Sequence, residues 1–439
     1  MNLKYIRENK ITLWLNYLLV SYAILLPISV HGKAQIFSAI VVLIVIRGNF
    51  KKNFTDIFKN PIVLSFIAMY LVYILWLFGT EDFKYAKLLI DQNKYYLLAP
   101  FILSFIDKRF VPKVIAGFLA GIFFSEISSY LITLHIIPPN IVFLGERIFH
   151  NQATIYDPSP FMLHTKYGLA LALAVALLLN NILSLNLTKL QKIISWFFIF
   201  SITLNISITG GRIGYLLYIT LIPLLLILIY NKKAFKPLIF SFVGIALAGT
   251  LAYNFSSLFK NRIDQTINTT KTMINNPYNF NSSFGERVGM WYNGILVFEE
   301  HPFFGVGTGD HKKEIFKKID ETKSNAHKIT HPHNQYISIL VQFGIIGLIF
   351  FLNIFYQIFK YKYPSNYQKS ISILTSVAVA FTFMIEGDKV KFILPLWITI
   401  ISISMATKQY EEIQTNNIEG KTPIYIMVSL IAGFLAFIV

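Results

Sequence analysis

Apolar residues in this chain gather into runs long enough to cross a bilayer, and polar positions fall between them. A hydrocarbon core about 30 Å thick needs roughly 20 apolar residues per helix. On that scale the sequence predicts spans near 12–30, 34–47, 61–79, 84–106, 111–136, 161–180, 190–208, 212–230, 236–254, 335–359, 369–387, 391–406 and 423–438. The second and twelfth are short, and charge interrupts the fourth. The expectation is therefore an all-α, polytopic membrane helix bundle of about 12 transmembrane helices, one integral membrane domain over 1–439. The first run is too long, and too poor in small residues at its end, to be a removable signal peptide. The segment from about 255 to 334 is the candidate subdomain, a large loop expected to pack on the bundle as short helices.

The placement of cations sets the orientation, because cytoplasmic loops retain Lys and Arg. Lys4, Arg7 and Lys10; Arg47, Lys51, Lys52 and Lys59; Lys108, Arg109 and Lys113; Lys189 and Lys192; Lys232, Lys233 and Lys236; and Lys360, Lys362 and Lys369 fall on alternate connections. These belong to the cytoplasm with the N-terminus. The other connections then face outward: Pro138 to Pro160, the turn Thr209-Gly210-Gly211-Arg212, and the 255–334 loop, so a site built on them is extracytoplasmic.

Composition agrees: 55% of the 439 residues are hydrophobic and 14% are charged, against about 25% charged in a soluble domain. The net charge of +17 lies largely on loops beside anionic headgroups, so it points to membrane lipids as partners and not to nucleic acid. The absence of cysteine excludes disulfides, thiolate metal sites and cysteine nucleophiles.

The exported side of a membrane is poor in nucleotide donors, and the chain has no Gly-rich loop ending in Gly-Lys-Ser/Thr. A group-transfer enzyme there needs a donor that is already activated, such as a lipid-linked diphosphate. It must grip the diphosphate, supply a base for the attacking hydroxyl, and open laterally to lipids. Of seven arginines, Arg147, Arg212, Arg262 and Arg287 lie outside, where topology gives no reason for them. Arg212 at a helix mouth and Arg287 in Gly285-Glu286-Arg287 are the preferred diphosphate clamps, since guanidinium offers a planar donor fork that stays charged. The alternative is that each pairs with a carboxylate such as Glu286 or Glu300, and Arg147 and Arg262 are assigned to that alternative.

Five of nine histidines, His301, His311, His327, His331 and His333, crowd into the large loop and its junction with the next helix. Imidazole accepts a hydroxyl proton near neutrality, and Pro332 restricts the chain before His333, so His333 is the candidate general base. His331, Asn334, Trp291 and Tyr336 are candidate substrate contacts. His331 and His333 as a metal pair lack a clearly spaced third ligand, so no metal or other cofactor is expected. Gly305, Gly307 and Gly309 suggest a tight turn shaping the outer loop, not a nucleotide loop, because no parallel-sheet context precedes them. Trp291 and Tyr292 suit sugar stacking and an interfacial belt equally well. Glu386-Gly387-Asp388 is expected to solvate its turn or steady an arginine. Asp91 and Lys94, deep in the fourth run, either pair across one turn or line the donor cavity.

The chain resembles the bacterial O-antigen ligases, within the larger group that includes O-antigen polymerases. Their motif of His, then Asn, Ser or Gln, nine residues, Gly, two residues, and Gly, Thr or Tyr is met by His333, Asn334, Gly344 and Gly347. An Arg with Leu four residues later at a helix start is met by Arg212 and Leu216, and an arginine in the large loop by Arg287. The resemblance implies metal-independent transfer of a polysaccharide from an undecaprenyl-diphosphate-linked glycan donor to a sugar hydroxyl of the lipid A-core acceptor, at the periplasmic face of the inner membrane. It makes His333 the base and Arg212 and Arg287 the diphosphate clamps, with inversion at the anomeric carbon. A polymerase would use the same donor. A lipid-linked oligosaccharide flippase is disfavoured by the gathering of charge and histidine on one side.

Overall fold

The computed structural model describes residues 3–49, 54–143, 146–276, 280, 283–322, 331–387 and 390–410. Its α-helices, numbered in chain order, are α1 (Leu3–Leu25), α2 (Val30–Arg47), α3 (Pro61–Leu75), α4 (Phe83–Asn93), α5 (Leu98–Leu103), α6 (Val111–Thr133), α7 (His164–Ser184) and α8 (Lys189–Ile208). There follow α9 (Arg212–Tyr230), α10 (Phe235–Phe255), α11 (Ser257–Asn275), α12 (Ser283–Glu300), α13 (His311–Thr322), α14 (Gln335–Lys360), α15 (Asn366–Phe383) and α16 (Ile393–Ser404). One antiparallel hairpin pairs Val142 and Phe143 with Arg147 and Glu146. The bundle is all-helical in its packing, as expected.

Among the described residues, six helical segments are long and apolar enough to cross a membrane: Lys108–Thr133, His164–Ser184, Lys189–Ile208, Arg212–Lys233, Phe235–Phe255 and Gln335–Lys360. That is fewer than the dozen expected, for local reasons. The run at 84–106 is split: α4 ends at Asn93, a 3-10 turn covers Lys94–Leu97, and α5 adds six residues. Asp91 and Lys94 pair at 2.7 Å with both side chains about half exposed, which settles their alternatives in favour of the pair. Helices α3 and α16 are apolar but only 15 and 12 residues long. Helix α15 carries buried Ser370, Ser372, Thr375 and Ser376. Three of these hydroxyls bond inside the bundle, Thr375 to the Ile371 carbonyl, Ser372 with the Tyr363 hydroxyl, and Ser376 accepting from Trp397 Nε1. The run at 423–438 lies outside the described residues.

Helix α7 sits at the centre, buried throughout Leu169–Leu177. It crosses α9 closely, because Gly168 meets Gly214: a Cβ at Gly214 would stand 3.0 Å from the Gly168 Cα, and one at Gly211 would overlap the His164 carbonyl. The glycines thereby bring the first residue of α9, Arg212, beside the first residue of α7, His164. Helix α10 has no buried residue and lies at the periphery.

Helices α11, α12 and α13 occupy the 255–334 segment, so its expected short helices are present. A small core of Met290 and Val297 from α12, Ile315 and Ile319 from α13, and Val341 from α14 holds two of them to the bundle. The glycine-rich run at 303–309 is the clasp. Helix α14 breaks at Gly344, at φ +62°, and the run docks into the break. Val306 and Gly307 N–H groups donate to the Val341 and Gln342 carbonyls at 3.0 and 2.9 Å, and Ile345 N–H to the Pro302 carbonyl at 2.9 Å. Gly305, Gly307 and Gly309 all have positive φ, so the expected tight turn is what forms. Asp310 then accepts from the Glu81 and Asp82 N–H groups, both at 2.8 Å, tying the clasp to the start of α4.

Candidate functional site

The histidine turn is built by its neighbours. Asn334 caps α14, its carboxamide oxygen accepting from the Tyr336 and Ile337 N–H groups at 2.9 and 3.1 Å. Trp291 Nε1 donates to the Pro332 carbonyl at 2.8 Å. The His333 N–H donates to His331 Nδ1 at 3.3 Å, which places the proton of a neutral His331 ring on Nε2. The two rings lie 3.8 Å apart, His331 is buried, and His333 is half-buried with φ +49°, uncommon for a residue with a side chain. Three of the side chains expected to meet substrate are therefore engaged in shaping this turn: His331, Asn334 and Trp291. Tyr336 points into the bundle, its hydroxyl donating to the Ala380 carbonyl at 3.1 Å and its ring edge-on to Phe351.

Trp291 also links the turn to the arginines. It lies four residues after Arg287, one helical turn away on the same face of α12. The charges of Arg287 and Arg262 both act on Arg212, which opens α9. Arg212 Nη1 donates to Thr266 Oγ1 of α11 at 3.2 Å. The structure thus brings together three of the four arginines predicted to lie outward, including Arg262, which the sequence reading assigned to a carboxylate. Among the described residues none of the three forms an ion pair, and Glu300 pairs with Lys318 at 2.8 Å instead. Burial pushes the Arg287 guanidinium below its ordinary value, and the Glu386 charge opposes that. Two carboxylates act near the three guanidiniums, Glu386 on Arg287 and Asp157 close to Arg262, so the cluster keeps a surplus of positive charge that an anion relieves.

Two residues that the sequence reading did not single out support this cluster. Asp157 accepts from the Gly210 N–H at 3.0 Å and Ser159 Oγ at 3.1 Å, and pairs with His164 Nδ1 at 2.9 Å. A Cβ at Gly210 would lie 2.7 Å from an Asp157 oxygen and 2.9 Å from an Arg262 nitrogen, so both groups crowd over that glycine. Burial raises the Asp157 carboxyl, but His164, the Gly210 N–H and Ser159 outweigh it and hold it below the usual carboxylate range. Glu386 is buried, accepts from Thr165 Oγ1 at 2.7 Å and acts electrostatically on Arg287, matching the expected steadying of an arginine. Asp388 and His327 lie outside the described residues. No group of three or more His, Asp or Glu side chains converges as a metal site among the described residues.

Below the arginines an apolar cleft of about 80 Å³ runs between α8, α9, α10 and α11. Tyr215, three residues after Arg212, and Phe259, three before Arg262, meet at its top with rings 4.6 Å apart. Ile206, Ile219, Ile245 and Gly249 continue it along the helices.

A multi-pass membrane protein with clustered guanidiniums above an apolar cleft and a histidine turn beside them is suited to a ligand with an anionic head and a lipid tail. Residues 196–352 match the family model described as O-antigen ligase. That stretch holds Arg212, Arg262, Arg287, His333, Gly344 and Gly347, and the match supports the O-antigen ligase family and a ligase- or polymerase-type function. An uncharacterized protein of Haemophilus influenzae (strain ATCC 51907 / DSM 11121 / KW20 / Rd) is 23% identical over 358 residues, covering 78% of this chain and 83% of that protein.

Proposed function

We propose that this protein transfers a polysaccharide from undecaprenyl diphosphate to a sugar hydroxyl of lipid A-core, acting at the periplasmic face of the inner membrane. The observation that carries the reading is the cluster of Arg212, Arg262 and Arg287, which form no ion pair among the described residues, joined through Trp291 to the His333 turn. In this mechanism the diphosphate sits among the three guanidiniums and the polyprenyl tail descends along the Tyr215 cleft. His333 takes the proton of the acceptor hydroxyl while that oxygen bonds to the anomeric carbon. The bond from that carbon to the diphosphate oxygen breaks, inverting the configuration, and the electron pair leaves on undecaprenyl diphosphate. The arginines stabilise the charge gathering on that leaving group.

The test is His333→Ala. It accumulates in the membrane at the wild-type level and leaves lipopolysaccharide uncapped, read on a silver-stained gel; a wild-type ladder removes His333 from the mechanism. Deletion of the protein separates ligase from polymerase, since ligase loss removes all capped forms and polymerase loss leaves a single-repeat cap.

A further inference from the structure

A second cavity, of about 140 Å³, lies between the α1–α2 turn, the start of α7 and the start of α16. Lys33, Lys166, Lys391 and His150 line it, with Met162 and Phe392 among its apolar walls, and no acidic side chain is among its described lining residues. Lys33 is 1% exposed. Its ammonium donates to the Lys391 carbonyl at 2.6 Å and stands 6.0 Å from the Phe392 ring centre. Among the described residues it forms no ion pair with a carboxylate, while the charges of Lys166 and Lys391 act on it.

Anchoring one carbonyl requires only a neutral donor. Burial, then the charges of Lys166 and Lys391, push the Lys33 ammonium down from its ordinary value to about 7, so a bound anion is what keeps it charged. His150 experiences the same field: burial, then the charges of Lys166, His164 and Arg147, push its imidazole below the ordinary value. A water needs about 10–15 Å³ of such space, so the cavity has room for a polyatomic anion. Lysine binds phosphate as a compact point charge.

We infer that this cavity binds a phosphate group carried on a lipid headgroup, at a site distinct from the arginine cluster. His164, paired with Asp157 beside that cluster, acts electrostatically on His150 of this cavity. Two sources share that chemistry: a phosphate of the acceptor lipid, or the headgroup of a bilayer phospholipid. Only the choice of acceptor lipid as a probe rests on the function proposed above.

The experiment uses the full chain in phosphatidylcholine nanodiscs and a fluorescent, bis-phosphorylated lipid A, with binding read by energy transfer. Lys33→Gln weakens binding by roughly tenfold, as does the more exposed pair Lys166→Gln with Lys391→Gln, whereas Lys189→Gln, at the exposed start of α8, leaves it unchanged. Dephosphorylated lipid A binds the wild type as weakly as the phosphorylated probe binds the variants. Competition by phosphatidylglycerol assigns the site to bilayer headgroups, and its absence assigns the site to the acceptor. Wild-type binding by the Lys166→Gln, Lys391→Gln protein, present at normal membrane levels, overturns the inference. Because binding is measured without transfer, that outcome is independent of whether His333→Ala abolishes catalysis.

Discussion

The arginines divide by the company they keep. Arg47 is buried and bonds the Ser104 carbonyl and hydroxyl at 3.1 and 3.2 Å, and Arg109 grips Asp107 at 2.8 Å. Both are consumed by the fold. Arg212, Arg262 and Arg287 are not, and Asp157 is the carboxylate that accepts from the Gly210 backbone beneath them. Its role is testable through pH. A carboxyl held below its unfolded value contributes stability that is present above the unfolded pKa, 3.8 here, and is lost as pH falls through the folded value. Asp157→Asn should therefore destabilise the protein at pH 7 by about 1–3 kcal/mol, the worth of charge-assisted hydrogen bonds. The gap in melting temperature to wild type should close as the pH is lowered past the unfolded value; a gap independent of pH refutes the linkage. Arg262 was accessible from the sequence, since the argument from exported arginines applied to it as fully as to Arg212. Asp157 and His164 carry no such signal: their pairing depends on the loop before α7 folding back over Gly210.

At the scale of elements, the short motif spanning His333 to Gly347 acquires a division of labour. Asn334 starts α14, Gly344 interrupts it, and the clasp at 303–309 fills the interruption. A Cβ at Gly344 would overlap the Phe303 carbonyl carbon, and φ +62° is strained for any other residue. Gly344→Ala should cost roughly 2–4 kcal/mol and lower transfer although every candidate catalytic side chain is retained. Gly244→Ala on α10 is the control. A Cβ there meets nothing within 4 Å, so stability should stay within about 0.5 kcal/mol of wild type by thermal unfolding in detergent. A matching loss in both variants shows that the clasp is dispensable.

Across the whole molecule, the described segments that meet the length and apolarity of a membrane span carry a site gathered at one end. The proposed mechanism needs that end to be periplasmic. The lack of native cysteine makes this measurable without a background. A single Asn276→Cys, just past α11, should react with a membrane-impermeant maleimide once the outer membrane is opened. Lys232→Cys, past the far end of α9, should react only when the inner membrane is also breached. The reverse pattern puts the arginines in the cytosol and ends the ligase reading.

Hydropathy and cation placement were enough to show a polytopic helical bundle and to predict its orientation, because lipid admits few backbone solutions and the apolar length needed to cross it is fixed. The histidine motif and the surplus of arginines on the predicted outward side were equally legible, being local in sequence. Which arginines meet, which polar side chains turn inward to build the turn, and where a buried lysine faces a cavity were decided only by tertiary packing. Those outcomes follow from helix crossings such as Gly168 against Gly214 and from a helix broken at Gly344, contacts between residues far apart in the chain that no local pattern encodes.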